Sequence, residues 1–473
     1  MSTTGKDFYH CESDKLHDEC GVFGIYDNDE LDVARLVYYG LYALQHRGQE
    51  SSGIAICKND EITNIKGMGL VPEVFPEKIL NRLEGGSAIG HNRYSTTGGS
   101  STENAQPLLI NYKYGKMALA HNGNLVNAGR LRGELEEQGA IFQTTTDSEI
   151  IASVFSRNCI HIDGIKEALA ETMRVLKGSY AVVILTQENL IGMRDPWGLR
   201  PLCIGRLKNS FVLASESCAL NVIGASFVRD VAPGEIIFIG KNGMESVRVI
   251  SDKRFGLCIF EHIYLARPDS FIDGASVYRA RLEAGRLLAK EHPVDADMVV
   301  GVPDSGLTAA IGYSRESGIP YGEGFVKNRY VGRTFINPDQ KQREQSVRIK
   351  LNPLEHEVRG KRLVLVDDSI VRGTTSAKLV QALKDAGALE VHMRISSPPI
   401  KYPCFFGIDI ASCNQLIASS HTVEEIRRIL GADSLGFLSL DGVVRTPVDS
   451  VCTKFCTACI SGNYPIKVQD TEL

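Results

Sequence analysis

The second half of the chain alternates short apolar runs with helix-period segments, and the first half does not. An amphipathic stretch at 276–290 precedes 297–303 (DMVVGVP), and a helical segment at 306–317 leads into a polar loop. The run 361–367 (KRLVLVD) is followed by a turn, a helix at 374–386 and another strand at 390–396. Apolar strands joined through helices predict a parallel sheet, with ligand sites outside the strand C-terminal ends. From 20 to 248 the texture is strand-rich and punctuated by Gly and Asn, as in 53–57 (GIAIC), 117–120 (MALA), 178–185 (GSYAVVIL), 211–215 (FVLAS) and 235–239 (EIIFI). Helical stretches near 31–45 and 147–158 interrupt it, which predicts a layered α+β domain. The expected division is therefore a polar extension at 1–19, one domain at 20–248 and a second at 249–473.

Composition narrows the function classes. The 473 residues carry 52 basic and 57 acidic side chains, so the net charge is 52 − 57 = −5, which disfavours a general nucleic-acid binder. The longest apolar runs are short, such as 363–366 (LVLV), far below the roughly eighteen residues of a membrane-spanning helix. The N-terminus has no apolar core of a secretory signal, so a cytoplasmic, reducing compartment is expected. Twelve cysteines then read as catalytic, metal-binding or buried groups rather than a disulfide scaffold.

Cys20 stands directly before the strand pattern Gly21-Val22-Phe23-Gly24-Ile25. A buried core cysteine is the ordinary reading of such a residue. The other is a nucleophile exposed by removal of residues 1–19, activated by its own freed α-amine of pKa about 7.7–8.0. Downstream lie Gln45-His46-Arg47-Gly48-Gln49-Glu50, then His91-Asn92-Arg93-Tyr94, His121-Asn122-Gly123-Asn124 and Thr146-Asp147-Ser148-Glu149. Each alone reads as a loop or a helix cap. Together, in this order, they resemble the class II (N-terminal-nucleophile) glutamine amidotransferases over 20–248. That resemblance implies an αββα sandwich, cleavage after Glu19, and Cys20 as the nucleophile that forms a γ-glutamyl thioester. It implies Asn122 and Gly123 as the oxyanion hole, Arg93 on the glutamine α-carboxylate, Asp147 on its α-ammonium and a supporting role for Arg47. Cys11 lacks the following GVFG and is no rival.

The string Val364-Leu365-Val366-Asp367-Asp368-Ser369-Ile370-Val371-Arg372-Gly373-Thr374-Thr375 reads as strand, acidic pair and small-residue turn into a helix. Backbone N–H groups at such a turn can cradle a phosphate, and paired carboxylates can hold ribose hydroxyls or a hard cation. An ordinary strand–helix turn is the alternative. The full string resembles the phosphoribosylpyrophosphate (PRPP) signature of type I phosphoribosyltransferases, which have an α/β fold. The resemblance places ribose and Mg²⁺ at Asp367 and Asp368, and the 5-phosphate at Ser369, Arg372, Gly373, Thr374 and Thr375. Val302-Pro303-Asp304-Ser305-Gly306 resembles the pyrophosphate loop, with Ser305 helping to place one Mg²⁺ per subunit. Residues 327–350 hold seven Lys and Arg against Asp339 and Glu344, a local +5, and resemble the loop that closes over PRPP.

Both halves together resemble the glutamine PRPP amidotransferases from Cys20 onward. These enzymes make 5-phosphoribosylamine, glutamate and pyrophosphate from PRPP, glutamine and water, the first step of de novo purine synthesis. Glu261-His262-Ile263-Tyr264-Leu265 matches a family segment, which implies Tyr264 as the residue coupling the two sites, between which ammonia passes. Cys456-Thr457-Ala458-Cys459 is a CxxC spacing that by itself permits zinc, a redox pair or two buried thiols. One branch of the family carries a propeptide and a [4Fe–4S] cluster. Its ligands match Cys258, Cys404, Cys456 and Cys459, one cluster per subunit, leaving Cys413 and Cys452 outside. The resemblance also implies purine nucleotide inhibitors and a homotetramer. A hexosamine-forming synthase is disfavoured by the PRPP string, and a non-catalytic PRPP sensor by Cys20, Arg93, Asn122 and Asp147.

Overall fold

The computed structural model describes residues 20–94, 99–251, 256–328, 351–410 and 413–468. The expected extension at 1–19 and most of the basic loop, 329–350, lie outside the described residues. The chain forms two compact units. One takes in the described parts of 17–280, 403–411 and 447–473, and the other those of 281–402 and 412–446. The units thus part near 280 rather than near 249, and two later segments return to the first unit.

The first unit contains β1 (Gly21–Tyr26), β2 (Ser51–Lys58), β3 (Glu61–Met68), β4 (Ser87–Arg93), β5 (Leu108–Tyr112), β6 (Gly115–Leu125), β7 (Gly178–Leu185), β8 (Leu190–Arg194), β9 (Cys203–Leu207), β10 (Ser210–Ala214), β11 (Ser226–Asp230), β12 (Glu235–Gly240) and β13 (Gly243–Arg248). One sheet runs β11-β9-β10-β1-β4-β2-β3 and the other β13-β12-β8-β7-β6-β5. Val22, Ala55 and Ile89 of the first sheet meet Ala120, Ala181 and Val183 of the second in a shared core. Alternate residues face outward: Phe23 and Ile25 pack on Val37 and Leu41 of helix Val33–Ala43. On the other side Tyr180, Val182 and Ile184 pack with Ile151 and Phe155 of helix Asp147–His161. The result is the αββα order that the resemblance implies. Because β7 is covered on both faces, 178–185 reads as one apolar run and not as an alternation.

The second unit holds a parallel sheet in the order Met298–Gly301, Arg362–Asp367, Glu390–Ile395, Ser434–Phe437. Met298, Leu363, Leu365 and Met393 pack against Leu379 and Leu383 of helix Thr374–Asp385 and Ile426 and Leu430 of helix Val423–Leu430. Helix Leu307–Ser317 also packs on the first two strands. This is the strand–helix alternation that the sequence predicts. No helix among the described residues is long and apolar enough to cross a membrane.

Candidate active sites

Cys20 is 9% exposed, at the head of the central strand β1. Its Sγ lies 3.5 Å from Tyr94 O. Burial pushes the thiol up to about 11, with Arg93 acting against the rise and Glu50 and Asp147 adding to it. Arg93 ends β4, which pairs with β1, and is itself buried. It donates to Glu50 Oε1 at 3.2 Å and to Gly99 O at 3.3 Å. Asp147 opens the helix Asp147–His161, yet Thr146 holds the cap position. The Asp147 carboxylate instead accepts the Leu125 N–H at 2.9 Å and lies 3.7 Å from His121 Nδ1. Burial alone would raise its pKa, but His121 and the Leu125 N–H hold it below the ordinary carboxylate value.

Asn122 and Gly123 lie on β6, opposite Ala181 and Tyr180 of β7, so the polar segment is strand and not loop. Gly123 has φ +142, and a Cβ there would stand 2.1 Å from Ser179 O, so only glycine fits. Asn122 is fully buried, and neither its Oδ1 nor its Nδ2 has a hydrogen-bond partner among the described residues. A buried amide without partners costs about 1–3 kcal/mol, a cost that a bound ligand can relieve. Around it, Gln106 Oε1 accepts the His121 N–H at 2.7 Å, and Gln106 Nε2 donates to Ser148 Oγ at 2.9 Å. His91 Nε2 lies 3.0 Å from His121 O, and burial lowers its pKa to about 3. Arg47 is fully buried between Glu216 and Glu261, and a Cβ on Gly21 would stand 3.6 Å from its Cβ.

In the second unit, Asp367 ends its strand and Asp368 follows, both 1% exposed. Asp367 Oδ1 accepts the Asp368 N–H at 2.9 Å, and Ser369 Oγ donates to Asp368 Oδ1 at 2.5 Å. Arg372 Nη2 donates to Gln415 Oε1 at 2.9 Å. Gly373 caps the helix that begins Thr374-Thr375. Ser305 lies in the turn from strand Met298–Gly301 to helix Leu307–Ser317, where the Val302 N–H reaches Val366 O at 2.9 Å. The sheet therefore gathers Ser305, the acidic pair and the small-residue turn at the C-terminal ends of two neighbouring strands.

Residues 91–222 match the family described as a glutamine amidotransferase domain, and residues 278–396 the phosphoribosyl transferase domain. The amidophosphoribosyltransferase of Archaeoglobus fulgidus is 54% identical over 454 residues, covering 96% of this chain and 99% of that protein. The chain belongs to the amidophosphoribosyltransferase family. The Bacillus subtilis amidophosphoribosyltransferase is 51% identical over 464 residues, covering 97% of this chain and 96% of that protein. A solved glutamine PRPP amidotransferase from B. subtilis, complexed with ADP and GMP, superposes with a TM-score of 0.89 at 50% identity, over 96% of this chain and 99% of that one. A structure described as the allosteric regulatory enzyme of purine biosynthesis gives 0.90 at 50% identity, over 96% of this chain and 98% of that one.

Four cysteines of this amidophosphoribosyltransferase-family chain gather within the first unit. Cys258 and Cys456 are paired residues of a two-stranded parallel ladder. Cys404 packs in one apolar cluster with Cys456, and its Sγ accepts the Phe406 N–H at 3.4 Å. Cys459 lies on the short helix Ala458–Ser461. Burial pushes the Cys258 thiol well up, Arg200 opposes that, and Cys456, Cys404 and Cys459 each add to the rise. Burial likewise takes Cys456 to about 12. Among the described residues, however, no three His, Cys, Asp or Glu side chains are drawn together as metal ligands. Cys452 lies apart, with its Sγ on Asp273 Oδ2 at 3.2 Å. Tyr264 is half-buried on the π-helical turn Glu261–Leu265 of the first unit.

Sequence reading missed the Glu50 partner of Arg93 and two buried ion-pair systems. Arg194 makes two 2.8 Å bonds to Asp273, and Arg47 joins Glu216 to Glu261. Their partners are 79, 169 and 214 residues away in sequence, so no local spacing signals them.

Proposed function

We propose that this chain transfers the amide nitrogen of glutamine to PRPP, yielding 5-phosphoribosylamine, glutamate and pyrophosphate as the first step of de novo purine synthesis. The surroundings of Cys20 carry the reading. Cationic Arg93 and anionic Asp147 both act on one buried thiol, which complements the α-carboxylate and α-ammonium of glutamine. Cys20 Sγ bonds to the amide carbon, and its proton passes to the α-amine freed by removal of residues 1–19. Asn122 Nδ2 and the Gly123 N–H donate to the oxyanion that forms. Collapse breaks the C–N bond and returns the proton to the departing ammonia; water then opens the thioester to glutamate. Arg47, held between Glu216 and Glu261, has a supporting role.

Ammonia passes to the second site and displaces pyrophosphate from the ribose. There Asp367 and Asp368 hold the ribose hydroxyls, while Ser369, Arg372, Gly373, Thr374 and Thr375 take the 5-phosphate. The all-oxygen donors of Asp367, Asp368 and Ser305 suit Mg²⁺, which when bound offsets the charge of the leaving pyrophosphate. Tyr264 couples the sites. Cys404, Cys456 and Cys459 each act electrostatically on the Cys258 thiol, and these four sulfur donors would hold a [4Fe–4S] cluster in a structural role. The related structure that holds ADP and GMP supports purine nucleotides as feedback inhibitors. A homotetramer in the cytoplasm completes the proposal, on resemblance. Cys20→Ala tests the two-site scheme. Glutamine-driven synthesis should vanish while ammonia-driven synthesis persists; equal loss of both would overturn it.

A further inference from the structure

The residues after Cys404 end on the strand that carries Asn122 and Gly123. Asn124 Nδ2 donates to Phe405 O at 3.0 Å. Ser179 Oγ donates to Phe406 O at 2.7 Å and accepts the Asn124 N–H at 3.1 Å, so one hydroxyl ties this segment to both β6 and β7. Arg200 donates to the same Phe406 carbonyl. Phe406 is 2% exposed and packs with Leu199 and Ala458. Gly407, at φ +106, lies flat against Gly123: a Cβ on it would stand 3.3 Å from the Gly123 carbonyl carbon and 3.5 Å from its Cα.

We propose that Phe405-Phe406-Gly407 is a positioning clamp for the oxyanion hole. The proposal rests on the assignment of Asn122 and Gly123 to that hole. Among the described residues the Asn122 amide has no hydrogen-bond partner that could aim it, so its direction follows from the backbone of β6. On one side of Asn122 that backbone is fixed by Gln106 Oε1 on the His121 N–H. On the other side it is fixed by the Phe405–Gly407 segment through Asn124, Ser179 and Gly123. Oxyanion donors act only at the position where charge develops, so a shift of about 1 Å removes much of their effect.

The test uses the chain that begins at Cys20, two variants and two ligands. Glutamate γ-semialdehyde adds to Cys20: a C–S bond forms and the thiol proton ends on the aldehyde oxygen, which then occupies the hole. Glutamate binds the same pocket without that adduct. In Asn124→Ala and Ser179→Ala, semialdehyde affinity and glutaminase kcat should fall roughly tenfold, while glutamate affinity and glutamine KM stay within about twofold. If Ser179→Ala does not fold, half-buried Asn124→Ala carries the test. Wild-type semialdehyde affinity in Asn124→Ala, with affinity lost in Asn122→Ala, overturns the clamp alone. Wild-type affinity in Asn122→Ala overturns the oxyanion assignment, and the clamp falls with it. Parallel loss of both ligands overturns the clamp in favour of a collapsed pocket.

Discussion

Retaining residues 1–19 should leave Cys20 a slow nucleophile, by an amount that follows from its burial. With its nitrogen in a peptide bond, the thiol is pushed up to about 11 by burial, Arg93 offsetting part of the rise. At pH 8 the gap is about 11 − 8 = 3 units, so about one thiol in a thousand is ionised. That fraction grows tenfold per pH unit until about pH 11, because desolvation favours the neutral form. In a chain that begins at Cys20, the α-amine loses its proton at about 7.7–8.0 and can accept the thiol proton within the same residue. The assay is iodoacetamide labelling of Cys20, followed by peptide mass spectrometry from about pH 6 to 10. One sample is the intact chain, verified by mass, and the other begins at Cys20. The shorter form should level off near pH 8 and react at least roughly 100-fold faster there, while the intact form keeps rising. Identical profiles, or a plateau near pH 8 in the intact form, would show that the amine is not the base.

Asn122→Ala should lower glutaminase kcat by roughly 10²–10³ with little change in glutamine KM, because its amide is unpartnered until an oxyanion forms. Its melting temperature should not fall, since the substitution removes a buried unsatisfied group; a drop of several degrees would argue for a structural amide. Asp367→Asn combined with Asp368→Asn should abolish PRPP stimulation of glutaminase with the Cys20 pocket untouched, measured as glutaminase rate against PRPP concentration. Cys456→Ser should cut iron and sulfide below about four each per chain and lower the yield of folded protein; zinc in anaerobically purified chain would replace the cluster assignment.

Local pattern carries much of this fold. The strand expected at 361–367 is Arg362–Asp367 and the helix expected at 374–386 is Thr374–Asp385. Each is announced by an apolar run or an amphipathic period with small residues at the turn. Helix Ala128–Glu137 shows no such period, because it buries only Leu131 and Leu135 among polar neighbours. The chain's return is likewise invisible. The described parts of 403–411 and 447–473 join the first unit through contacts with residues far away in sequence, as Phe405 does with Asn124 and Cys456 with Cys258. In the candidate site, Cys20, Arg93 and Asp147 are readable from motif order, and the structure places Arg93 and Asp147 each within electrostatic reach of the Cys20 thiol. The empty hydrogen-bonding capacity of Asn122 is not readable, since it depends on what β7 and its neighbours withhold.

The most direct test of the two-site transfer is a single-tube stoichiometry with glutamine labelled with ¹⁵N at the amide, supplied with PRPP and Mg²⁺ and with no free ammonia. The expected result is glutamate and pyrophosphate released in equal amounts, with the label in 5-phosphoribosylamine. Glutamate released without pyrophosphate, or pyrophosphate released with the label remaining in glutamine, would contradict it.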